Sequence, residues 1–283
     1  MRSRLTLLLA VAAFVWPAHA AERLVAIGGD VTEIVFELGA GDRLVAVDST
    51  SRHPEAADAL PDVGYLRRLA AEPIVALQPD LVIASAASGP PIVLDQLRGA
   101  GLEVVMISDG PNVSGVVTKI GEVGRALGLE REAATLGAAV REDVERVQVA
   151  LGAIAGRPRV LFMLDIGRGA PLAGGLETSA ASIIELAGGR NAIEGFSGYK
   201  PLSQEAAIAA MPDVVLVPTR TLDAFGGAAG LFARPELRAS PAAAERRVVA
   251  MDSLLLLGFG PRPGEAVTTL AGALHPELVV AAP

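Results

Sequence analysis

Cysteine is absent from this chain of 283 residues. No disulfide, thiolate metal site or thiol nucleophile is available, and no lipid-bearing cysteine can follow an export signal. Lysine is almost absent, at Lys119 and Lys200 alone, and the formal net charge is −8. Such a chain lacks the basic face of a nucleic-acid binder. Histidine occurs three times, as His19, His53 and His275. That is too few, and too scattered, for a histidine-rich metal site. Aromatic residues make up 4% of the chain, and the two tyrosines are Tyr65 and Tyr199. Long apolar runs are missing too. Residues 5–16 are apolar but too short to span a bilayer. Residues 254–257 are only a short strand-like patch.

What is present begins with a secretory signal. Arg2 and Arg4 form its charged start, residues 5–16 its apolar stretch, and Ala18-His19-Ala20 its small-x-small cleavage site. The expected signal is residues 1–20. The exported part is expected to be soluble and periplasmic, with no segment inserted in a membrane.

Beyond residue 20, apolar runs alternate with helical patterns. Arg23-Leu24-Val25-Ala26-Ile27, Arg43-Leu44-Val45-Ala46-Val47, Leu81-Val82-Ile83-Ala84 and Glu103-Val104-Val105-Met106-Ile107 read as buried strands. Continuous apolar strands separated by helices predict a parallel sheet covered on both faces. Gly28-Gly29-Asp30 reads as a strand-to-helix turn that lines a cleft. It lacks Gly-x-Gly-x-x-Gly spacing and a following P-loop lysine. From 113 to 153 the pattern is helical over an unusual length, with Gly128 an expected end or kink. The strand pattern restarts at 159–164, passes a glycine-rich loop at 167–175 and a helix at 179–187, and returns at 214–217 and 247–251.

The two halves share a match. Glu72-Pro73-Ile74-Val75-Ala76-Leu77-Gln78-Pro79-Asp80 aligns without a gap with Glu205-Ala206-Ala207-Ile208-Ala209-Ala210-Met211-Pro212-Asp213, at one constant offset. Two lobes of related fold are the simplest account. The expected organisation is an N-terminal lobe over 21–112, an interlobe helix over 113–155 and a C-terminal lobe over 156–283. The fold class is thus α/β: two lobes with mainly parallel sheets, joined by a long backbone helix, with a ligand cleft between them.

Leu60-Pro61-Asp62-Val63-Gly64-Tyr65-Leu66-Arg67-Arg68-Leu69 carries the chemistry. Pro61, Asp62 and Gly64 mark a loop. A phenolate is a hard anionic oxygen ligand, and tyrosine is an axial ligand of haem iron in known proteins. Arg67 and Arg68 can pair with ligand carboxylates in a bidentate fork. The same residues also read as a half-buried loop tyrosine beside a solvated cationic face, and local chemistry alone does not separate the two.

Beyond that local reading, these residues resemble the periplasmic binding proteins of haem ABC importers, within the helical-backbone class that also carries cobalamin and ferric siderophores. The segments that carry the resemblance are Gly28-Gly29-Asp30-Val31-Thr32-Glu33-Ile34, Asp48-Ser49-Thr50, Gly64-Tyr65, the paired Glu and Pro-Asp segments, Gly188-Gly189-Arg190-Asn191-Ala192, Gly198-Tyr199-Lys200-Pro201-Leu202-Ser203-Gln204-Glu205 and Leu257-Gly258-Phe259-Gly260-Pro261-Arg262.

The resemblance implies that the chain is a carrier and not an enzyme, and that haem is its transported ligand. Tyr65 is then the axial ligand to the haem iron, with no histidine partner, and Arg67 contacts a propionate. Arg220, or failing that Arg262, contacts the phenolate from the C-terminal lobe. Glu72 and Glu205 then dock on an ABC transporter permease dimer in the inner membrane. Each also reads as a carboxylate favoured at a helix start. Cobalamin or a ferric siderophore remains the alternative cargo in the same fold. An exported α/β hydrolase is a further alternative, but Ser88-Gly89 and Ser114-Gly115 form no nucleophile elbow. A manganese or zinc carrier would need a His, Asp and Glu ligand set that does not assemble here.

Overall fold

The computed structural model describes residues 21–165, 167 and 169–278. The expected export signal, residues 1–20, lies outside the described residues. Two sheets organise the chain. The first comprises β1 (Leu24–Ile27), β2 (Leu44–Val47), β3 (Leu81–Ser85) and β4 (Glu103–Ile107), all parallel, in the order β2-β1-β3-β4. Helices α1 (Gly29–Glu37), α2 (Glu55–Asp58), α3 (Ala71–Ala76) and α4 (Pro91–Gly99) run between them. Every residue of β1 and β3 is buried, as a parallel sheet covered on both faces requires.

The helical stretch from 113 onward is two helices, α5 (Val113–Leu127) and α6 (Glu130–Leu151). Asn112 caps the first by accepting from the Gly115 N–H at 2.8 Å. Gly128 takes up the left-handed conformation (φ 69°) and ends it. Helix α6 then runs back along α5 at close range. A Cβ on Gly124 would lie 2.3 Å from that of Ala133, and one on Gly137 would lie 3.1 Å from Val117. The longer of the two, α6, is the backbone helix.

The second sheet holds β5 (Arg159–Leu164), β6 (Leu172–Gly174), β7 (Arg190–Asn191), β8 (Tyr199–Pro201), β9 (Val214–Pro218) and β10 (Val248–Met251). Its order is β10-β9-β5-β6-β8, with β7 also beside β5. Strands β10, β9, β5 and β7 are parallel, and β6 and β8 add an antiparallel flank. The remaining helices are α7 (Ser179–Leu186), α8 (Gln204–Ala210), α9 (Thr219–Ala224), α10 (Gly227–Ala233), α11 (Pro241–Ala244), α12 (Ser253–Leu257) and α13 (Pro263–Leu274). Two expectations are corrected here. The glycine-rich loop contains strand β6, whose Leu172 and Ala173 pair with Leu164 and Met163. The strand-like patch at 254–257 is helical, because Asp252 accepts from the Leu254 and Leu255 N–H groups at 2.9 Å and nucleates α12.

The internal repeat extends to atomic detail. In the first copy, Asp80 accepts from the Arg23 N–H at 2.9 Å, and the Arg23 guanidinium donates to the Leu77 carbonyl at 2.7 Å. In the second, Asp213 accepts from the Arg159 N–H at 2.7 Å, and Arg159 donates to the Ala210 carbonyl at 2.9 Å. Gln78 and Met211, at equivalent places just past α3 and α8, both have positive φ. An arginine at the start of each lobe's first strand thus caps the helix that precedes Pro-Asp.

The halves are fused through packed side chains. One buried apolar cluster runs from Leu24 and Ile34 through Ile120 and Val140 to Phe162 and Leu270. Separate clusters fill the outer face of each sheet.

Candidate functional site

Parallel strands bring their carboxyl ends to one edge, and in open α/β sheets ligands bind beyond that edge. This chain follows the rule in both halves. A cleft of about 420 Å³ lies between the residues that follow β1, β2 and β3 on one side and those that follow β9 and β10 on the other. Its volume is within the range of about 300–1,000 Å³ usual for small-molecule sites.

The Tyr65 loop is held on the first wall by alternation. Val63, Leu66 and Leu69 are buried in the apolar cluster of the N-terminal sheet, while Tyr65 and Arg67 between them face out and line the cleft. Backbone bonds fasten the loop at both ends. Val47 and Val63 exchange with the end of β2, where Val47 N–H donates to Pro61 at 3.0 Å and Val63 N–H to Val47 at 2.9 Å. Leu69 N–H donates to Gly89 at 3.0 Å, and Gly89 N–H to Leu66 at 2.8 Å. Tyr65 is 39% exposed, and its phenolic oxygen accepts from Arg67 Nη1 at 2.9 Å. The guanidinium at the phenol is therefore Arg67, two residues along the same loop. Arg220 lines the opposite wall, on α9 just after β9. Arg68 is exposed on the other side of the turn and does not line the cleft.

Arg262 is engaged elsewhere. Its Nη2 lies 2.6 Å from Glu33 Oε1, and its Nη1 lies 3.1 Å from Glu265. Burial by itself would lower Arg262; its bonds to Glu33 and Glu265 outweigh that and hold it above the ordinary arginine range. Burial raises Glu33 above the ordinary glutamate range, against the opposing pull of Arg262. Glu72 and Glu205 are both exposed, each in the first turn of its helix, at equivalent places in the repeat. Tyr199 stands on β8 of the second lobe, 39% exposed, with its ring edge-on to Phe162 at 5.9 Å between centroids. Burial raises its phenol, opposed by hydrogen bonds from the start of α7.

Beneath the cleft lie Asp48, from the quoted Asp48-Ser49-Thr50 run, and Lys119, to neither of which the sequence assigned a role in the site. Asp48 is 1% exposed and accepts from the Gly28 N–H at 2.9 Å, the Thr50 N–H at 3.1 Å, the Thr50 hydroxyl at 2.8 Å and the Ser51 hydroxyl at 2.9 Å. It ties the turn after β1 to the loop after β2. The same closeness explains Gly29, where a Cβ would lie 2.4 Å from the Thr50 carbonyl oxygen. Asp30 pairs with Lys119, which is buried on α5. The lysine's rarity in the chain was the one sequence signal that marked it. Arg52 also lines the cleft and pairs with Asp58 at 3.2 Å on the exposed surface. Among the described residues, no group of three or more histidine, aspartate or glutamate side chains is arranged to hold a bare metal ion. No helix among them is long and apolar enough to cross a membrane.

Known proteins share this architecture. The structure of the apo periplasmic heme-binding protein RhuT from Roseiflexus sp. RS-1 superposes with a TM-score of 0.88 at 40% identity, over 92% of this chain and 100% of that one. The heme-binding protein HutB of Vibrio cholerae superposes at 0.82 and 36% identity, over 90% and 99%. A cobalamin-binding protein of Halobacterium salinarum is 30% identical over 262 residues, 90% of this chain and 69% of its own. Residues 24–255 match the family described as periplasmic binding protein, and the chain belongs to that family.

Proposed function

We propose that this protein captures haem in the interlobe cleft and delivers it to an ABC permease, with Tyr65 as the ligand to the iron. The observation that carries the reading is the Tyr65–Arg67 pair at 2.9 Å on the cleft wall. A phenolate bound to ferric iron carries charge that a guanidinium on the same oxygen compensates. Arg220 faces the pair from the other lobe, and Arg52 adds a third cation. Two haem propionates are suited to such groups, because guanidinium and carboxylate pair in a planar fork. The heme-binding proteins similar to this chain support the same cargo. In this reading, residues 21–112 and 156–283 act as the two binding lobes, 113–155 as their spine, and residues 1–20 as the signal that directs export to the periplasm. The protein acts as a carrier, without catalysis. Glu72 and Glu205, paired by the repeat, contact the two halves of a permease dimer.

Haemin titration followed by absorption spectroscopy, with Tyr65→Phe alongside, tests the cargo and the ligand together. Saturable binding with a high-spin ferric phenolate spectrum, lost in Tyr65→Phe, is expected. Saturable binding with an unchanged spectrum in the variant would move the ligand elsewhere. The cobalamin-binding relative makes cyanocobalamin the second cargo to titrate, and tight binding of that corrin without haemin binding would replace the haem reading. Haem-dependent growth of a strain carrying Glu72→Ala with Glu205→Ala tests docking. Undiminished uptake would remove it.

A further inference from the structure

Helix α1 presents two carboxylates one turn apart, Asp30 and Glu33, and both are buried toward the second half of the molecule. Each meets a cation supplied from outside its own sheet. Asp30 pairs with Lys119 Nζ, and that ammonium also lies 3.5 Å from the Gly258 carbonyl, 3.4 Å from the Phe259 carbonyl and 3.7 Å from Asp109. The Lys119 side chain is 1% exposed and that of Asp30 11%, so this pair is shielded from bulk water, whereas the Asp109 side chain is 59% exposed. Glu33 pairs with Arg262, which lies in the segment that runs on from Gly258. That segment rides directly on α1, since a Cβ on Gly260 would lie 2.8 Å from Glu33 Oε2 and 3.5 Å from the Asp30 Cα. Asp30 and Gly258 line the cleft from opposite walls. The ammonium thus sits where the first lobe, helix α5 and the second lobe converge, beneath the ligand space.

We infer that Lys119 is a positioning residue for ligand binding: with Asp30 and the Gly258 and Phe259 carbonyls, and seconded by the Glu33–Arg262 pair, it clamps the two walls of the cleft at the floor and sets their separation before a ligand enters. The shared apolar core beneath joins the lobes through nondirectional contacts, which tolerate small sliding. Charge-assisted hydrogen bonds are directional and fix a distance: across the two walls the Glu33–Arg262 pair closes to 2.6 Å, and the Lys119 ammonium bridges to the Gly258 and Phe259 carbonyls at 3.5 and 3.4 Å. A flat, rigid ligand held between two walls gains from a gap set in advance, because binding then spends nothing on ordering the lobes.

The inference rests on the cleft being the ligand site, and its primary test does not depend on the cargo. The absence of native cysteine permits unique spin labels at Asp95→Cys and Glu194→Cys, exposed positions on the first and second lobes. Interlobe distance distributions are measured by double electron–electron resonance on ligand-free protein, with and without Lys119→Met. The labelled parent should give one narrow distribution, and Lys119→Met should at least double its width. Stopped-flow transfer of haemin to a high-affinity acceptor supplies the second readout, with dissociation expected to rise roughly tenfold in the variant, about 1.4 kcal/mol. If Lys119→Met does not fold, Lys119→Met with Asp30→Asn removes both charges together and is measured in the same way. An unchanged narrow distribution in a folded variant overturns the clamp. A narrow distribution in a parent that fails to bind haemin, broadened in Lys119→Met, leaves the clamp standing and removes the haem reading instead.

Discussion

Replacing Asp48 by alanine tests how the cleft floor is held. The carboxylate is buried and accepts four hydrogen bonds, two from the backbone N–H groups of Gly28 and Thr50 and two from the Thr50 and Ser51 hydroxyls. The hydroxyls can turn to other partners. Ser51 already lies 2.7 Å from the Thr32 hydroxyl, and Thr50, half-buried at the cleft, can donate to solvent there while it still accepts from the Gly29 N–H at 3.0 Å. The two N–H groups have no such freedom. Orphaning a buried donor costs about 1–3 kcal/mol, and the relief of no longer burying a carboxylate offsets part of the loss. A net destabilisation of about 3 kcal/mol is expected for Asp48→Ala, and about half that for Asp48→Asn, which keeps one acceptor oxygen. Urea unfolding followed by far-UV circular dichroism at pH 7 measures both, with an unchanged slope required for a two-state comparison. A loss below about 1 kcal/mol for Asp48→Ala would refute the claim that this carboxylate organises the Gly28 turn. Because Gly29 and Thr50 line the cleft, haemin affinity should fall in the same order.

Other changes give results of known sign. Burial raises Glu33 above the usual carboxylate range, while Arg262 and His53 oppose the shift and Asp30 adds to it. The folded protein therefore holds that proton more tightly than the unfolded chain does. The group's contribution to stability is fully present below the unfolded glutamate value and is lost as pH rises through the raised folded value. Glu33→Gln should flatten that part of a stability–pH profile, and an unaltered profile would argue against it. Gly175→Ala places a Cβ 2.1 Å from the Phe196 carbonyl oxygen, in the segment that joins β6 to α7. A loss of about 2 kcal/mol in urea unfolding is expected. Arg159→Ala removes the guanidinium that bonds the Ala210 carbonyl at 2.9 Å, and should lower stability by about 1 kcal/mol. Arg23→Ala should cost less, its side chain being more exposed at the equivalent cap.

Two corrections show how local signals are overruled. Leu254-Leu255-Leu256-Leu257 is apolar throughout and carries no periodicity, so strand and helix fit it equally well. Asp252 decides for helix by capping two N–H groups, and the packing of Leu256 holds it. Strand β6 is three residues long within a glycine-rich stretch, too short for any pattern. It exists because β5 offers it a partner edge. Arg262 illustrates a different limit. Its neighbours Gly258-Phe259-Gly260-Pro261 drew attention to the right segment, but a linear reading does not reveal that Glu33, far away in the chain, claims its guanidinium.

The N-terminal strand segments, the helical spine and the existence of two related lobes were written in the chain itself, whereas the strand order β2-β1-β3-β4 was not. Apolar periodicity and a repeated Pro-Asp stop are local properties, and burial on both faces of a parallel sheet enforces them. The loop bearing Tyr65 and Arg67 was legible from its turn residues Pro61, Asp62 and Gly64, while the burial of its anchors Val63, Leu66 and Leu69 appeared only in the fold. Partnership was not legible. Which guanidinium meets the phenol, that Lys119 is buried against Asp30, and that Asp48 gathers the turns beneath the cleft were decided only when the chain folded. A hydrogen bond depends on distances of about 3 Å between groups, and sequence separation carries no information about that distance.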